Sequence, residues 1–292
     1  MRCQQATARI RDGSTVIDLH THTTASDGQH EPAELVRLAR DAGITRLAIT
    51  DHDTVNGLAE AFEAARGTGM EIIPGIELSS ALGAKDIHIL GHFVRPDDPA
   101  LVASCAHQEG GRRRRMEKMV QRMNELGFPV RMEHVESVAG GSTNLCRPHL
   151  ARAMVELGFC RHPQDAFDRF IGDGLPAFVA HERLEARDAI ALVHAAGGTA
   201  TLAHPGVDRI DRRQIAQLRE MGLDGLEVFH SDHDPGMRER YLQIAREHGL
   251  VPTAGSDFHG ERVAADRRLG TASMAVDQFL ELRSRAGVRI SF

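Results

Sequence analysis

Two histidines one residue apart, His20 and His22, stand where a short apolar run ends. In extended backbone residues i and i+2 face the same side, so two imidazoles can meet one cation. Asp27 follows in Ser26-Asp27-Gly28, and the same situation recurs along the chain. Further apolar runs lead into Thr50-Asp51-His52-Asp53, Pro74-Gly75-Ile76-Glu77, Ala203-His204-Pro205 and Ser256-Asp257-Phe258-His259, and one carries His88 in its middle. A lone histidine is ordinarily a capped or solvated side chain. Six expected strands out of seven carrying a histidine or carboxylate, mostly at the C-terminal end, is a metal pattern.

Imidazole and carboxylate without thiolate suit Zn, Mn or Fe, not a cysteine-type zinc site or an all-oxygen calcium site. Six histidines, two aspartates and one glutamate are too many for one ion. Two or three divalent cations bridged by carboxylate fit better. Three such ions, three carboxylates and a bridging hydroxide leave roughly +2, which suits a phosphate monoester dianion.

The elements that must position these residues are short runs at Thr15–His20, Arg46–Thr50, Glu71–Glu77, Ile87–Phe93, Thr199–Ala203, Gly225–Phe229 and Val251–Ala254. Helices are expected over Pro32–Ala42, from Thr54 as cap to Ala65, and over Glu185–Ala196, Asp211–Met221 and Pro235–His248, several of them ending at glycine. Strand–helix alternation implies a mainly parallel sheet, closed or nearly closed. The rhythm breaks between about Pro96 and Ala180, which reads as an inserted helical cap. The expected division is an α/β barrel over 14–96 and 181–292 and a cap over 97–180.

Composition excludes several functions. With no Trp, one Tyr and a net charge of −6, neither a stacking platform for single strands nor a broad duplex-DNA surface is expected. No apolar run is long enough to cross a membrane, and the first residues lack the apolar core of a signal peptide. Cys3, Cys105, Cys146 and Cys160 form no CxxC pair and read as reduced thiols. A cytoplasmic protein is expected.

The motifs His20-Thr-His22, Ser26-Asp27-Gly28, Thr50-Asp51-His52, Gly75-Ile-Glu77, His88, Ala203-His204-Pro205 and Ser256-Asp257-Phe-His259 resemble, in order, those of the PHP (polymerase and histidinol phosphatase) superfamily. The resemblance implies a distorted (β/α)7 barrel and a trinuclear site. One metal would take His20, His22, Glu77 and Asp257, a second Glu77, His88 and His204, a third Asp27, His52 and His259. The helical insertion and Asn144-Leu-Cys-Arg147-Pro148-His149 look like the subgroup acting on nucleotides, which includes nucleoside 3′,5′-bisphosphate phosphatases and enzymes that trim RNA from its 5′ end. The expected reaction is hydrolysis of a nucleotide phosphate monoester, foremost the 3′-phosphate of a nucleoside 3′,5′-bisphosphate, by a metal-bridging hydroxide. The alternatives are 5′-3′ exoribonuclease action on short RNA, a histidinol-phosphate-type phosphatase, and a non-catalytic metal-binding domain.

The remaining site residues are weighed singly. Asp257 and His230 are expected to take part in catalysis, His230 because it ends the sixth run. Arg147, before the expected helix-starting Pro148, is expected to bind substrate phosphate, with His149 and His230 as further contacts. Asp18, Asp51 and Asp53 flank ligands and could orient their second ring nitrogens. Arg112–Arg115 reads as a solvated helix face, His181 as a weak substrate candidate, and His194 and His248 as helix-end residues.

Overall fold

A computed structural model describes residues 15–263 and 266–287. The stretch read for a signal peptide, including Cys3, lies outside them, as do residue 14 and residues 288–292 of the expected barrel range.

The chain begins with β1 (Val16–Asp18), α1 (Pro32–Asp41), β2 (Ile44–Ile49), α2 (Leu58–Ala65), β3 (Glu71–Leu82) and β4 (Lys85–His92). A helical stretch follows: α3 (Pro99–Glu125), α4 (Met132–Ala139), α5 (Arg147–Glu156) and α6 (Pro163–Ala166), which continues as a π-helical turn over Phe167–Ile171. It returns through β5 (Leu184–Glu185), α7 (Ala186–Ala195), β6 (Thr199–Leu202), α8 (Arg212–Glu220), β7 (Gly225–His230), α9 (Pro235–His248), β8 (Val251–Gly255) and α10 (Val276–Arg285).

Local chemistry fixes most helix ends. Proline occupies the first turn of α1, α3, α5 and α9, where its missing N–H is not needed. Asp98, Asp211 and Asp234 accept from N–H groups of the first turns of α3, α8 and α9. Gly140 and Gly249 end α4 and α9 in the left-handed region, at φ 63° and 62°. Thr54 does not cap α2. Its hydroxyl accepts from Asn56 N at 3.2 Å, and the helix begins four residues later at Leu58.

The strands lie in the order β1-β2-β3-β4-β6-β7-β8, with β5 paired to β3 off this path. Leu19 N donates to Ala254 O and His22 N to Phe258 O, both at 3.0 Å, so the first and last strands meet and the sheet nearly closes. The fold is thus the expected α/β barrel-like sheet, but its strands are not uniformly parallel. β4 runs antiparallel to both β3 and β6. The cause is the β3–β4 connection, a tight hairpin turn at Gly83-Ala84, too short for the crossover that parallel strands need. Leu101, near the start of α3, packs with Ile76, Leu78, Ile190 and Val193 of the sheet and α7. From Met116 to Ala177 the helical stretch has a cluster of its own, including Met119, Met123, Leu150, Met154 and Phe170. No helix among the described residues is long and apolar enough to cross a membrane.

Candidate metal centre

The nine candidate ligands converge at one mouth of the sheet. Thr21, paired with Phe258 beyond β8, turns its neighbours His20 and His22 inward, their rings 5.2 Å apart. His52 bridges to Glu77, which lies within β3. His88 stands opposite Ser79 on β4, two residues along the same face from Glu77, so the hairpin puts an imidazole beside that carboxylate. His204 follows β6, and Asp257 and His259 follow β8. Asp53, His204 and Asp257 hold positive φ values of 51°, 25° and 53°, the kind of backbone strain that collects at functional sites.

Glu77 is the centre of the cluster. Its Oε2 lies 3.3 Å from His20 Nε2, 3.1 Å from His22 Nε2 and 3.1 Å from His52 Nδ1. Its Oε1 lies 2.9 Å from His88 Nδ1 and 3.1 Å from His204 Nε2. Asp257 Oδ1 lies 3.3 Å from His20 Nε2, 3.2 Å from His22 Nε2 and 3.4 Å from His259 Nδ1. Asp27 Oδ1 lies 3.4 Å from His259 Nε2, 3.9 Å from His52 Nε2 and 4.0 Å from His22 Nδ1. Three sets have ligand atoms all within 4.8 Å of one another: His20, His22, Glu77 and Asp257; His22, Asp27, His52 and His259; and His52, Glu77 and His88.

The donor set fits divalent cations. His20 Nε2, both ring nitrogens of His22, Asp27 Oδ1, His52 Nδ1 and Glu77 Oε2 are buried and make no hydrogen bond. Buried polar atoms ordinarily pair, so a cluster of unpaired lone pairs facing one space calls for a cation. Burial would push the carboxyls of Glu77, Asp27 and Asp257 up, but their neighbours outweigh it and hold each well below the usual range. For Glu77 these are chiefly His52 and His88, for Asp27 His52 and His259, and for Asp257 Arg267 and His20. All three stay ionised, as hard ligands must.

Beside the cluster, toward α3 and α5, opens a cavity of ≈ 200 Å³. Its lining includes Asp27, His52 and His88 of the cluster and the arginines Arg112, Arg115, Arg147 and Arg183.

Residues 18–113 match the PHP domain. The chain is 35% identical over 246 residues to a 5′-3′ exoribonuclease of Haemophilus influenzae, covering 83% of this chain and 89% of that one. It is 32% identical to a 3′,5′-nucleoside bisphosphate phosphatase of Chromobacterium violaceum, covering 83% and 87%. A crystal structure described as a metal-dependent phosphoesterase from Bifidobacterium adolescentis superposes with a TM-score of 0.87 at 33% identity, over 95% of this chain and 98% of that one. The chain belongs to the PHP family. It is a metal-dependent phosphoesterase.

Around the candidate ligands, several groups differ from the sequence reading. Asp18, Asp51 and Asp53 orient no ligand histidine. Asp18 accepts from backbone N–H groups of His20, Ser256 and Gly270. Asp51 takes Thr23 N, the Thr23 hydroxyl and the Ser26 hydroxyl at 2.6–2.7 Å. Asp53 takes Ser79 N and Arg112. The carboxylates that do face ligand rings are Glu227, 3.1 Å from His20 Nδ1, and Asp208, 3.0 Å from His204 Nδ1. Both were missed. A single Glu inside the apolar run Gly-Leu-Glu-Val-Phe-His was the available signal for the first.

The arginine run is not a uniformly solvated face. Arg112 is buried and bonded to Asp53, Ser79 and Cys146, and Arg115 donates to Val179 O at 2.7 Å. Arg113 and Arg114 pair outward with Glu136 and Glu182. Positions i and i+3 share a helix side, which is why two arginines point in and two out. Arg147 opens α5, donates to Asp173 Oδ1 at 2.6 Å and lies against Phe167 and Phe178. His149 is buried; its Nδ1 accepts from Cys146 N at 3.0 Å, closing the first turn of α5 rather than lining the cavity. His230 Nδ1 accepts from Asp232 N, and its Nε2 lies 3.4 Å from Asp257 Oδ2, which Arg267 also contacts. His181 lines the cavity, 3.7 Å from Asp53, while His194 pairs with Asp224 at 2.8 Å, away from the site. Cys105, Cys146 and Cys160 are free thiols.

Proposed function

We propose that this PHP phosphoesterase removes the 3′-phosphate of a nucleoside 3′,5′-bisphosphate in the cytoplasm. The observation that carries the reading is one cavity lined by both candidate ligands and four arginines. One phosphate can lie over the ligand cluster while a second meets guanidinium groups in the same cavity. The relative named as a 3′,5′-nucleoside bisphosphate phosphatase supports the same choice.

Two to three divalent cations, Mn, Fe or Zn, would be held by His20, His22, Glu77 and Asp257, by Glu77, His88 and His204, and by Asp27, His52 and His259. When bound, such ions lower the pKa of water and neutralise charge on phosphoryl oxygens. The chain's own residues supply position and exclusion. Glu77 ties two sets together through its two oxygens. Arg147, with Arg115 beside it, would anchor the remote phosphate, so its binding energy orients the phosphate that reacts. His230 would act through Asp257, whose outer oxygen it faces. Residues 97–180 would serve as the cap that carries the anchoring arginines, and 14–96 with 181–292 as the barrel that carries the ligands.

A second reading is 5′-3′ exoribonuclease action on short RNA, favoured by the relative of that name at 35% identity. Phosphate and nucleotide release from 3′,5′-bisphosphates, 5′-phosphorylated oligonucleotides and histidinol phosphate separates the readings. The bisphosphate should give the highest kcat/KM, well above that of the corresponding monophosphate. Preference for the oligonucleotide would shift the assignment to the second reading, and preference for histidinol phosphate would overturn both.

A further inference from the structure

Glu227 is buried in β7, 1% exposed, and belongs to none of the ligand sets. Both of its oxygens are used. Oε1 and Oε2 lie 3.1 and 3.3 Å from His20 Nδ1, and Oε2 accepts from the backbone N–H of His204 at 2.7 Å. The fold reserves room for this carboxylate. A Cβ on Gly255, the β8 residue paired with His230, would stand 2.4 Å from Glu227 Oε1 and 2.2 Å from the Cβ of His20.

Each contact has a consequence for a ligand. A carboxylate at Nδ1 accepts the ring proton there and leaves the Nε2 lone pair of His20 free. That nitrogen is buried without a hydrogen bond, 3.3 Å from both Glu77 Oε2 and Asp257 Oδ1. The second contact holds a residue whose backbone sits at φ 25°, a conformation disfavoured for any side chain with a Cβ. From it the His204 ring presents Nε2 to Glu77 Oε1 at 3.1 Å.

We propose that Glu227 is a positioning residue that sets His20 and His204 together, so that the two cation positions sharing Glu77 fill or empty as a pair. The inference rests on the metal-centre reading above. An amide cannot replace the carboxylate, because its NH2 would meet either the ring N–H of His20 or the backbone N–H of His204. A neutral Gln would favour the opposite His20 tautomer, with its proton directed at the cation.

The test is cation uptake, independent of any substrate. Wild type, Glu227→Gln and Glu227→Asp are stripped with a chelator and titrated with Co(II), reading bound equivalents and the visible absorption of the bound ion. Thermal unfolding of the stripped proteins is measured alongside. Glu227→Gln should weaken uptake of two cations together by roughly 10- to 100-fold and leave any remaining one unchanged. Its stripped form should unfold close to wild type. Glu227→Asp, which keeps both acceptor oxygens one methylene short, should fall between. It carries the same comparison if the amide variant does not fold. Wild-type uptake by the variants, loss of a single cation, or loss that merely follows unfolding would overturn the inference and leave the metal centre standing. A wild-type protein that takes up no cation would overturn both.

Discussion

Asp53 and Arg112, 59 residues apart in the chain, meet under the helical stretch as a buried ion pair. Nε of Arg112 donates to Asp53 Oδ2 at 3.0 Å and Nη2 contacts the same oxygen, while Asp53 Oδ1 accepts from Ser79 N at 2.8 Å. Arg112 also reaches Ser79 Oγ and Cys146 Sγ, each at 2.9 Å. One side chain of α3 thereby touches the end of β2, β3 and the entry to α5.

Removing one partner of such a pair leaves an uncompensated buried charge. Arg112→Ala should lower unfolding stability by about 3–5 kcal/mol, read from urea denaturation. The double variant with Asp53→Ala should be less destabilised than the sum of the singles.

The same pair gives stability a pH dependence. Burial would push the Asp53 carboxyl up, but the Arg112 charge outweighs it, and the group is held well below the usual carboxylate range. A depressed folded pKa stabilises the protein above the unfolded value of about 3.9 and loses that contribution as pH falls below it. Asp53→Asn should therefore narrow its stability deficit against wild type between pH 7 and pH 3, measured as urea midpoints at each pH. A constant deficit would show that the pair is not ionised as described.

Much of the site was legible because its signal is local. His20 and His22 could be paired from a period of two, and most strand ends could be read from where apolar runs stop, although β3 runs on past Glu77 to Leu82. Strand direction is not written in an apolar run, so the antiparallel β4 was missed, although Gly83 between two such runs marked the hairpin. Glu227 and Asp208 are separated from their histidines by 207 and by four residues, respectively. The first contact exists only once β7 is placed inside the barrel. Asp51 and Asp53 lay beside candidate ligands in sequence, but backbone and hydroxyl donors took the oxygens of the first, and Ser79 N and the Arg112 guanidinium those of the second.

For the metals, reconstituted protein should hold two to three equivalents of Mn, Fe or Zn by elemental analysis. Glu77→Gln should lower occupancy at more than one position, because its two oxygens face different histidines. Loss of one equivalent alone would count against a bridging role.

Arg147→Ala should cut kcat/KM on a nucleoside 3′,5′-bisphosphate roughly 30-fold, the worth of a charge-assisted contact of ~2 kcal/mol, with metal content intact. Activity on a small generic phosphate ester should change little; an equal loss on both would remove Arg147 from discrimination. Asp173, which now takes the guanidinium at 2.6 Å, competes with an incoming phosphate. Asp173→Asn should therefore lower KM for the bisphosphate.

The seam between β1 and β8 also determines when this chemistry can begin. His20 and His22 are made long before Asp257 and His259, which face them across the seam. Until β8 docks against Leu19, these histidines have Glu77 but lack Asp257, the second carboxylate that would share a cation with them. A nascent or prematurely ended chain can fold its helical stretch, which has its own apolar cluster, and still be chemically silent. A translation product that stops short of residue 257 would carry the early half of the centre without the residues that complete it.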